Sequence, residues 1–339
     1  MLTLVICTLL LIFSSTQSRP SEEERCELWY QNGNVWPPNW QEESDAFKAN
    51  MIIREEEIMA IPSGDERWEN WLQYTQSRLV PKFTEKGFDV ITTPKHVNDR
   101  LQKAVNKAMA KGFDNIRSEG RIDVIWNPPG LDPKFIDLGA DTWQIIEDLK
   151  VYHEQWVGGM ELTPTSSYGI RVYQNDSTLV MHYDRVQTHV ISSIIHVAHE
   201  YDDEDEPWPI QIEDHDGNLH SVDLAAGQML FYESAKCLHG RMTALKGKYY
   251  GSIFVHYRPT DLSLWDYSIE DIIAHVPPHW KDDMDYEEGG SRFSGAALST
   301  DSRITVRAPD RIIHGELIAE TPKHLYFPLE KVPMIHSEL

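Results

Sequence analysis

His182-Tyr183-Asp184 offers the two side chains in this sequence best placed to hold a metal ion. In an extended strand residues i and i+2 face the same way, so an imidazole and a carboxylate at that spacing converge on one point. His239, in the late segment KCLHGR, supplies a third ligand if that segment lies beside the early one. Two imidazoles and one carboxylate on one side of an ion leave its other positions open, the donor set that suits non-haem Fe(II) working with oxygen. The remaining histidines fit less well. His196 and His199 stand three apart in one β segment, which predicts opposite faces and no shared ion. His215 lies in the turn-like EDHDGN and is expected in solvent. His153, His189 and His256 read as hydrogen-bonded histidines of a helix and two strands.

The elements that must position these residues are legible from the hydrophobic period, which turns from helical to strand-like at Ser166. Short segments then follow one another: SSYGIRVY, LVMHY, THVISSIIHVA, PIQIE, LHSVD, QMLFY, KCLHGR and KYYGSIFVHY, separated by turn-prone pieces. Eight strands with no helices between them predict a mainly β domain over residues 166–259, a double-stranded β-helix or jelly roll with flanking helices. The helices come from residues 63–165. Ser63-x-x-Glu66 is a capping box ahead of Trp68, Trp71, Leu72, Thr75 and Leu79. A strand is expected at 87–91, and Thr93-Pro94 as N-cap and first residue of a helix with Val97, Leu101, Val105, Ala108 and Met109 on one face, ended by Gly112. A third helix starts at Asp141 and passes through Ile145, Ile146 and Leu149. Residues 19–62 read as an irregular acidic lead-in, and 260–339 as a polar extension with a helix near 268–275.

Residues 173–257 resemble the catalytic domain of the prolyl 4-hydroxylase type of 2-oxoglutarate- and Fe(II)-dependent dioxygenases. Members carry a Tyr nine residues before the His-x-Asp, and Tyr173 stands nine before His182. After the distal His they have a loop, often with Leu-Lys-Gly, and then a Lys. Here His239 is followed by Leu245-Lys246-Gly247 and Lys248, nine residues on where the family has ten. The resemblance implies Fe(II), 2-oxoglutarate and ascorbate as cofactors and His182, Asp184 and His239 as metal ligands. It also implies that Lys248 and Tyr173 hold the distal carboxylate of 2-oxoglutarate, a charge costly to bury unpaired. Arg241, two past His239, faces the same interior in a regular strand and would either bind a carboxylate or pair with a core Asp. Thr188 is a pocket hydroxyl or a strand-filling residue. The implied reaction is hydroxylation of a side chain in a polypeptide or of a small molecule. A non-catalytic jelly-roll binder of glycan or peptide, and a cupin-type metal enzyme without 2-oxoglutarate, are the alternatives. Tyr173 and Lys248 favour the dioxygenase, because a binder has no use for a carboxylate clamp beside a metal.

The 339 residues carry 31 Lys and Arg against 54 Asp and Glu, a net charge of −23. Such an excess, with no Lys/Arg-rich block, argues against nucleic acid or an anionic membrane as partner and would steer a basic substrate. The acidic run at 200–206 reads as a solvated loop that would favour cationic peptides if it bordered the site. Residues 1–18 are uncharged, with an apolar run too short to span a bilayer, and read as a secretory signal peptide. No later stretch is long and apolar enough for a membrane span. His336-Ser337-Glu338-Leu339 resembles a KDEL-type signal, which predicts a retrieval receptor as partner and the endoplasmic reticulum lumen as location, with secretion the alternative. In that oxidising compartment Cys26 and Cys237 are either bridged or both free and buried. Asn175-Asp176-Ser177 is a glycosylation sequon whose composition also suits a hairpin turn.

Overall fold

Strand order identifies the core. In the computed structural model the described residues are 44–59, 70, 74–120, 122 and 124–267, with two-residue strands at 312–313, 316–317 and 334–335. The expected signal peptide, the Ser63-x-x-Glu66 box, Cys26, the helix near 268–275 and the HSEL end lie outside them. First come α1 (Asp45–Met59), β1 (Phe88–Thr92), α2 (Lys95–Met109), β2 (Ile125–Trp126), β3 (Lys134–Ile136), α3 (Asp141–Trp156) and β4 (Leu162–Ser167). Eight strands follow: β5 (Ile170–Gln174), β6 (Thr178–His182), β7 (Ile191–Tyr201), β8 (Ile210–Glu213), β9 (Leu219–Val222), β10 (Gln228–Tyr232), β11 (His239–Arg241) and β12 (Gly247–Pro259). Each of the eight segments read from the sequence overlaps one of them. The major sheet runs β1-β10-β7-β12-β5-β3 with β4 also on β12, and the minor sheet β9-β8-β11-β6-β2 with residues 334–335 beside β9. Within them the eight strands lie as first-eighth-third-sixth and second-seventh-fourth-fifth, the order of a chain winding between two facing antiparallel sheets. The fold is a double-stranded β-helix.

The stretch 63–165 is less purely helical than its pattern predicts. β1 extends the major sheet on β10, β3 caps its other edge on β5, and β2 extends the minor sheet on β6. The second and third helices form as the spacing requires. Val97, Leu101 and Val105 of α2 and Ile145, Ile146 and Leu149 of α3 are buried, and they pack on the outward residues of the major sheet, among them Ile191, Ile195, Ile253 and Val255. Each such side chain contributes roughly 1.5–3 kcal/mol when fully buried. Thr93 does not cap α2: its hydroxyl is buried without a hydrogen-bond partner, and the helix opens on the Pro94 carbonyl, which accepts from Val97 and Asn98 N–H. The segment expected as one strand at 166–173 is two, broken at Gly169. A Cβ there would lie 2.3 Å from the Ile136 carbonyl, so only glycine lets β3 approach. Between the sheets, Ile194, Leu230 and Tyr232 of the major sheet meet Ile210, Ile212 and Val222 of the minor one.

His153 of α3 is a structural histidine, as its place in the helix suggests. Its Nδ1–H donates to the Leu149 carbonyl at 2.8 Å, and its ring packs 4.7 Å from Phe231 and 4.3 Å from Tyr257, centroid to centroid. Burial lowers its pKa to about 3. The ring is neutral in the folded chain but takes a proton in the unfolded chain below about 6.5, so its stabilising contribution is complete above that pH and is lost as the pH falls toward 3. Replacing His153 with Phe should therefore flatten the acid slope of unfolding free energy, from urea melts between pH 7 and pH 4, by up to about 1.4 kcal/mol per pH unit. An unchanged slope would place the acid sensitivity elsewhere.

Candidate metal centre

β11 pairs antiparallel with β6 so that His239 stands directly opposite His182, the last residue of β6. Asp184 follows two residues later, anchored by its N–H donating to the Ser234 carbonyl at 2.9 Å. His182 Nε2 lies 3.6 Å from one Asp184 oxygen and His239 Nε2 3.9 Å from the other; candidate ligand atoms of all three lie within 4.8 Å of one another. Both imidazoles are held from behind in the same manner. Nδ1–H of His182 donates to the Val180 carbonyl and Nδ1–H of His239 to the Cys237 carbonyl, each at 2.8 Å. That bond fixes the tautomer and leaves the Nε2 lone pair for a metal. Burial, and then the neighbouring His182, pushes the His239 pKa well below the usual range, so its ring is the neutral ligand form. The structure thus brings together the three residues expected as ligands.

The triad opens onto a cavity of about 320 Å³. Tyr173 lines it as expected, 1% exposed, with its ring edge-on to Trp208 at 5.0 Å. Arg171, two residues earlier on the same face of β5, lines it too. Its Nε and Nη2 donate to the two Glu119 oxygens at 2.7 and 2.9 Å, and its guanidinium lies 5.3 Å from the Phe254 ring centre. Burial alone would push this guanidinium down; Glu119 holds it charged. Thr188 is a cavity hydroxyl, and Arg185, His189 and His256 also line the space. His189 and His256, whose rings lie 3.7 Å apart, are hydrogen-bonded as expected, His256 to the Ser192 hydroxyl and His189 to the Thr188 hydroxyl, and both line the cavity.

Lys248 is not in the cavity. It stands in the register shift between Gly247 and Tyr249, where β12 carries an extra residue against β7, and that bulge turns it out to solvent. There it is 52% exposed, paired with Glu200 at 3.3 Å. Arg241 does face the interior, but beyond the cavity: it donates to the Trp208 carbonyl and, at 3.0 Å, to the Tyr250 hydroxyl, with both rings 4.5 Å from its guanidinium. Neither a ligand carboxylate nor a core Asp is needed to account for it. Asn175 sits in the β5–β6 turn, where Asp176 has φ +60°; its amide donates to Asp176 and accepts from Gly247, while Ser177 of the sequon is fully buried against Asn127. Cys237 is buried, its thiol against the Gly87 carbonyl at 3.6 Å.

Two further expectations fail for reasons of register and packing. Ala198 pairs with Gly251 and His196 with Ser252, so Val197 is an extra residue in β7 that brings His196 and His199 to one side, 2.7 Å apart and stacked. His215 is not in solvent but buried, 2.9 Å from the fully buried Glu233 carboxylate. The acidic run at 200–206 leaves from the C-terminal end of β7, roughly 30 Å along the strand from Ser192 beside His256. It does not line the cavity.

No family model and no curated protein matches the chain. Solved structures do. A prolyl hydroxylase in complex with a hypoxia inducible factor peptide fragment, from Trichoplax adhaerens, is 12% identical over 59% of this chain and 92% of its own, with a TM-score of 0.40. A Pseudomonas putida prolyl-4-hydroxylase is 14% identical, covering 56% and 98%, at 0.37. HygX from Streptomyces hygroscopicus, bound to nickel, 2-oxoglutarate and hygromycin B, is 13% identical, covering 55% and 90%, at 0.37. The fold assignment rests on strand order and not on these distant likenesses.

Gly240 between His239 and Arg241 is what allows the two histidines to meet. A Cβ there would lie 2.7 and 2.8 Å from the Leu179 and Val180 carbonyls of β6. Gly240→Ala should cost about 1–3 kcal/mol in chemical denaturation by overpacking, and should weaken Mn(II) binding, read by electron paramagnetic resonance titration, at least tenfold. Asp184→Ala should abolish Mn(II) binding with stability little changed. Full metal occupancy in Asp184→Ala would remove the carboxylate from the site.

Proposed function

We propose that this chain is an Fe(II)- and 2-oxoglutarate-dependent dioxygenase of the prolyl 4-hydroxylase type, hydroxylating a side chain of a polypeptide in the secretory pathway. The observation that carries the reading is the His182-Asp184-His239 cluster at a cavity whose other wall presents a paired guanidinium and a phenol. The donor set fits the metal: two imidazoles held through Nδ1 so that Nε2 faces the cluster, and one carboxylate, leaving further positions toward the cavity. When bound there, iron with 2-oxoglutarate activates oxygen for insertion into a C–H bond, and the protein supplies orientation and exclusion of water. Ascorbate completes the cofactor set of the family.

Arg171 and Tyr173 take the place expected for Lys248. Glu119 engages Nε and Nη2 of Arg171, and the planar fork can still present Nη1 to a carboxylate in the cavity, with the Tyr173 hydroxyl as a second donor. A dicarboxylate whose inner end met neither would bury a charge without a partner. Ser192 and Ser234, 2.6 Å apart, with His256 2.7 Å from Ser192, hold the wall beside the metal ligands.

With Mn(II) bound, calorimetric titration should show 2-oxoglutarate affinity falling by two orders of magnitude or more in Arg171→Gln, about 3–5 kcal/mol for a buried charge deprived of its partner. Pairing it with Glu119→Gln removes the orphaned carboxylate and keeps the fold. Lys248→Ala should leave affinity unchanged, and the reverse ranking would restore Lys248 as the clamp. The lumenal assignment rests on residues 1–18 and 336–339; deleting Glu338 and Leu339 should move the protein into the medium, whereas equal secretion of both forms would leave only the secretory pathway.

A further inference from the structure

Residues 77–87 precede β1, yet they are fastened to the connection that serves the metal cluster. Glu233, the first residue after β10, is 0% exposed. Its Oε2 accepts from Phe83 N–H at 3.0 Å, and its Oε1 from Thr84 N–H and the Thr84 hydroxyl, both at 2.7 Å. The Thr84 oxygen in turn accepts from Gly87 N–H at 3.0 Å. Two amides and a hydroxyl thus meet an acceptor-only carboxylate, and His215 Nε2–H, at 2.9 Å from Oε1, is the remaining donor. The backbone of Glu233 is engaged as well. Its N–H donates to the Gly87 carbonyl at 2.8 Å, and its carbonyl accepts from Lys236 and Cys237 N–H at 2.9 and 2.8 Å.

The connection that Glu233 opens, residues 233–238, carries two supports of the metal cluster. Ser234 gives its carbonyl to Asp184 N–H at 2.9 Å, and Cys237 gives its carbonyl to His239 Nδ1–H at 2.8 Å. Lys236, between them, donates to the Ser77 and Val80 carbonyls at 3.2 and 2.6 Å. Gly87 closes the joint: it has φ +91°, and a Cβ there would collide with Cys237 Sγ and lie 3.0 Å from the His215 ring. A buried carboxylate is a costly way to fill space, because apolar side chains of similar volume fill it without the loss of hydration. What it adds is direction. One anchored side chain sets residues 83–84 and the β8–β9 turn at fixed distances from the carbonyls that aim Asp184 and His239.

We propose that Glu233 is a positioning residue of the metal centre: by anchoring the 233–238 connection to residues 83–87, it holds the Ser234 and Cys237 carbonyls where Asp184 and His239 need them. Neither Glu233 nor residues 83–87 line the cavity, so the effect passes through the connection. This rests on the metal cluster of the dioxygenase reading and extends its machinery to a part of the chain that precedes the β-helix.

The test uses the full chain and reads two properties of a bound metal: Mn(II) affinity by electron paramagnetic resonance titration, and the visible d–d spectrum of Co(II), which follows ligand geometry and not stability. Glu233→Gln keeps the shape of the side chain but turns one acceptor into a donor facing donors. It should lower Mn(II) affinity about tenfold or more, as loss of the groups behind metal ligands does, and it should shift the Co(II) spectrum. Val97→Ala, on the buried face of α2, is the comparison for stability alone. Under conditions where urea melts show both variants folded, it should leave Mn(II) affinity within about twofold and the Co(II) spectrum unchanged. If Glu233→Gln does not fold, Thr84→Val takes its place: it removes one donor from the carboxylate and should give a smaller change in the same direction. An unchanged affinity and spectrum in the folded variant, or an equal loss in Val97→Ala, overturns the proposal. A chain that binds neither Mn(II) nor Co(II) before any substitution sinks the metal cluster itself, a result distinct from tight binding that is indifferent to Glu233.

Discussion

The site depends on one strand pairing, the register of β11 against β6 that sets His239 opposite His182. Everything at the metal cluster is a consequence of it. The two carbonyls that orient the imidazoles, Val180 and Cys237, belong to residues two before each histidine, so the pairing positions ligands and their supports together. Gly240 makes the approach sterically possible, and the Tyr232 ring, its centre 4.7 Å from that of His239 and steeply inclined to it, packs on it from the opposite sheet. A metal site built on paired strands is more precise than one built on loops, because a shift of either strand would break a ladder of hydrogen bonds.

The parts of this arrangement legible in the sequence are those with a strict period. Alternation let eight strands be read and pointed to the His182, Asp184 and His239 grouping, although β6 ends at His182 and Asp184 is held by the Ser234 carbonyl just beyond it. Register shifts could not be read in this way. The extra residue at Val197 brings His199 to the side of His196, and the one at Lys248 turns an expected ligand into a surface lysine. Bulges arise where two particular strands meet, and neither strand's own pattern announces them. β2 and β3, two and three residues long, are too short to show a period. Arg171 was within reach: it stands two before Tyr173, the spacing that made Asp184 visible two after His182.

Net charge belongs to the whole chain and does not by itself set the chemistry of the cavity. Carboxylates on the exposed loop at 200–206 set the field far from the protein but not the chemistry of an enclosed space at the other end of β7. Inside, local pairing governs, and buried Arg171 with Glu119 shows how a guanidinium is kept charged within an acidic chain.

The group formed by Arg241, Trp208, Tyr250 and His196 fills the interior between the sheets beyond the cavity, with the rings of His196 and Tyr250 stacked at 4.0 Å. On the other side Tyr168, 45% exposed, lines the cavity and brings it to the surface of the described residues. Of two ligands that share one passage, the one that rests deeper, beside Arg171, has to arrive first and leave last. Under the dioxygenase reading proposed above, steady-state kinetics would accordingly follow a compulsory sequence, imposed not by any conformational switch but by the packing of one end of a barrel.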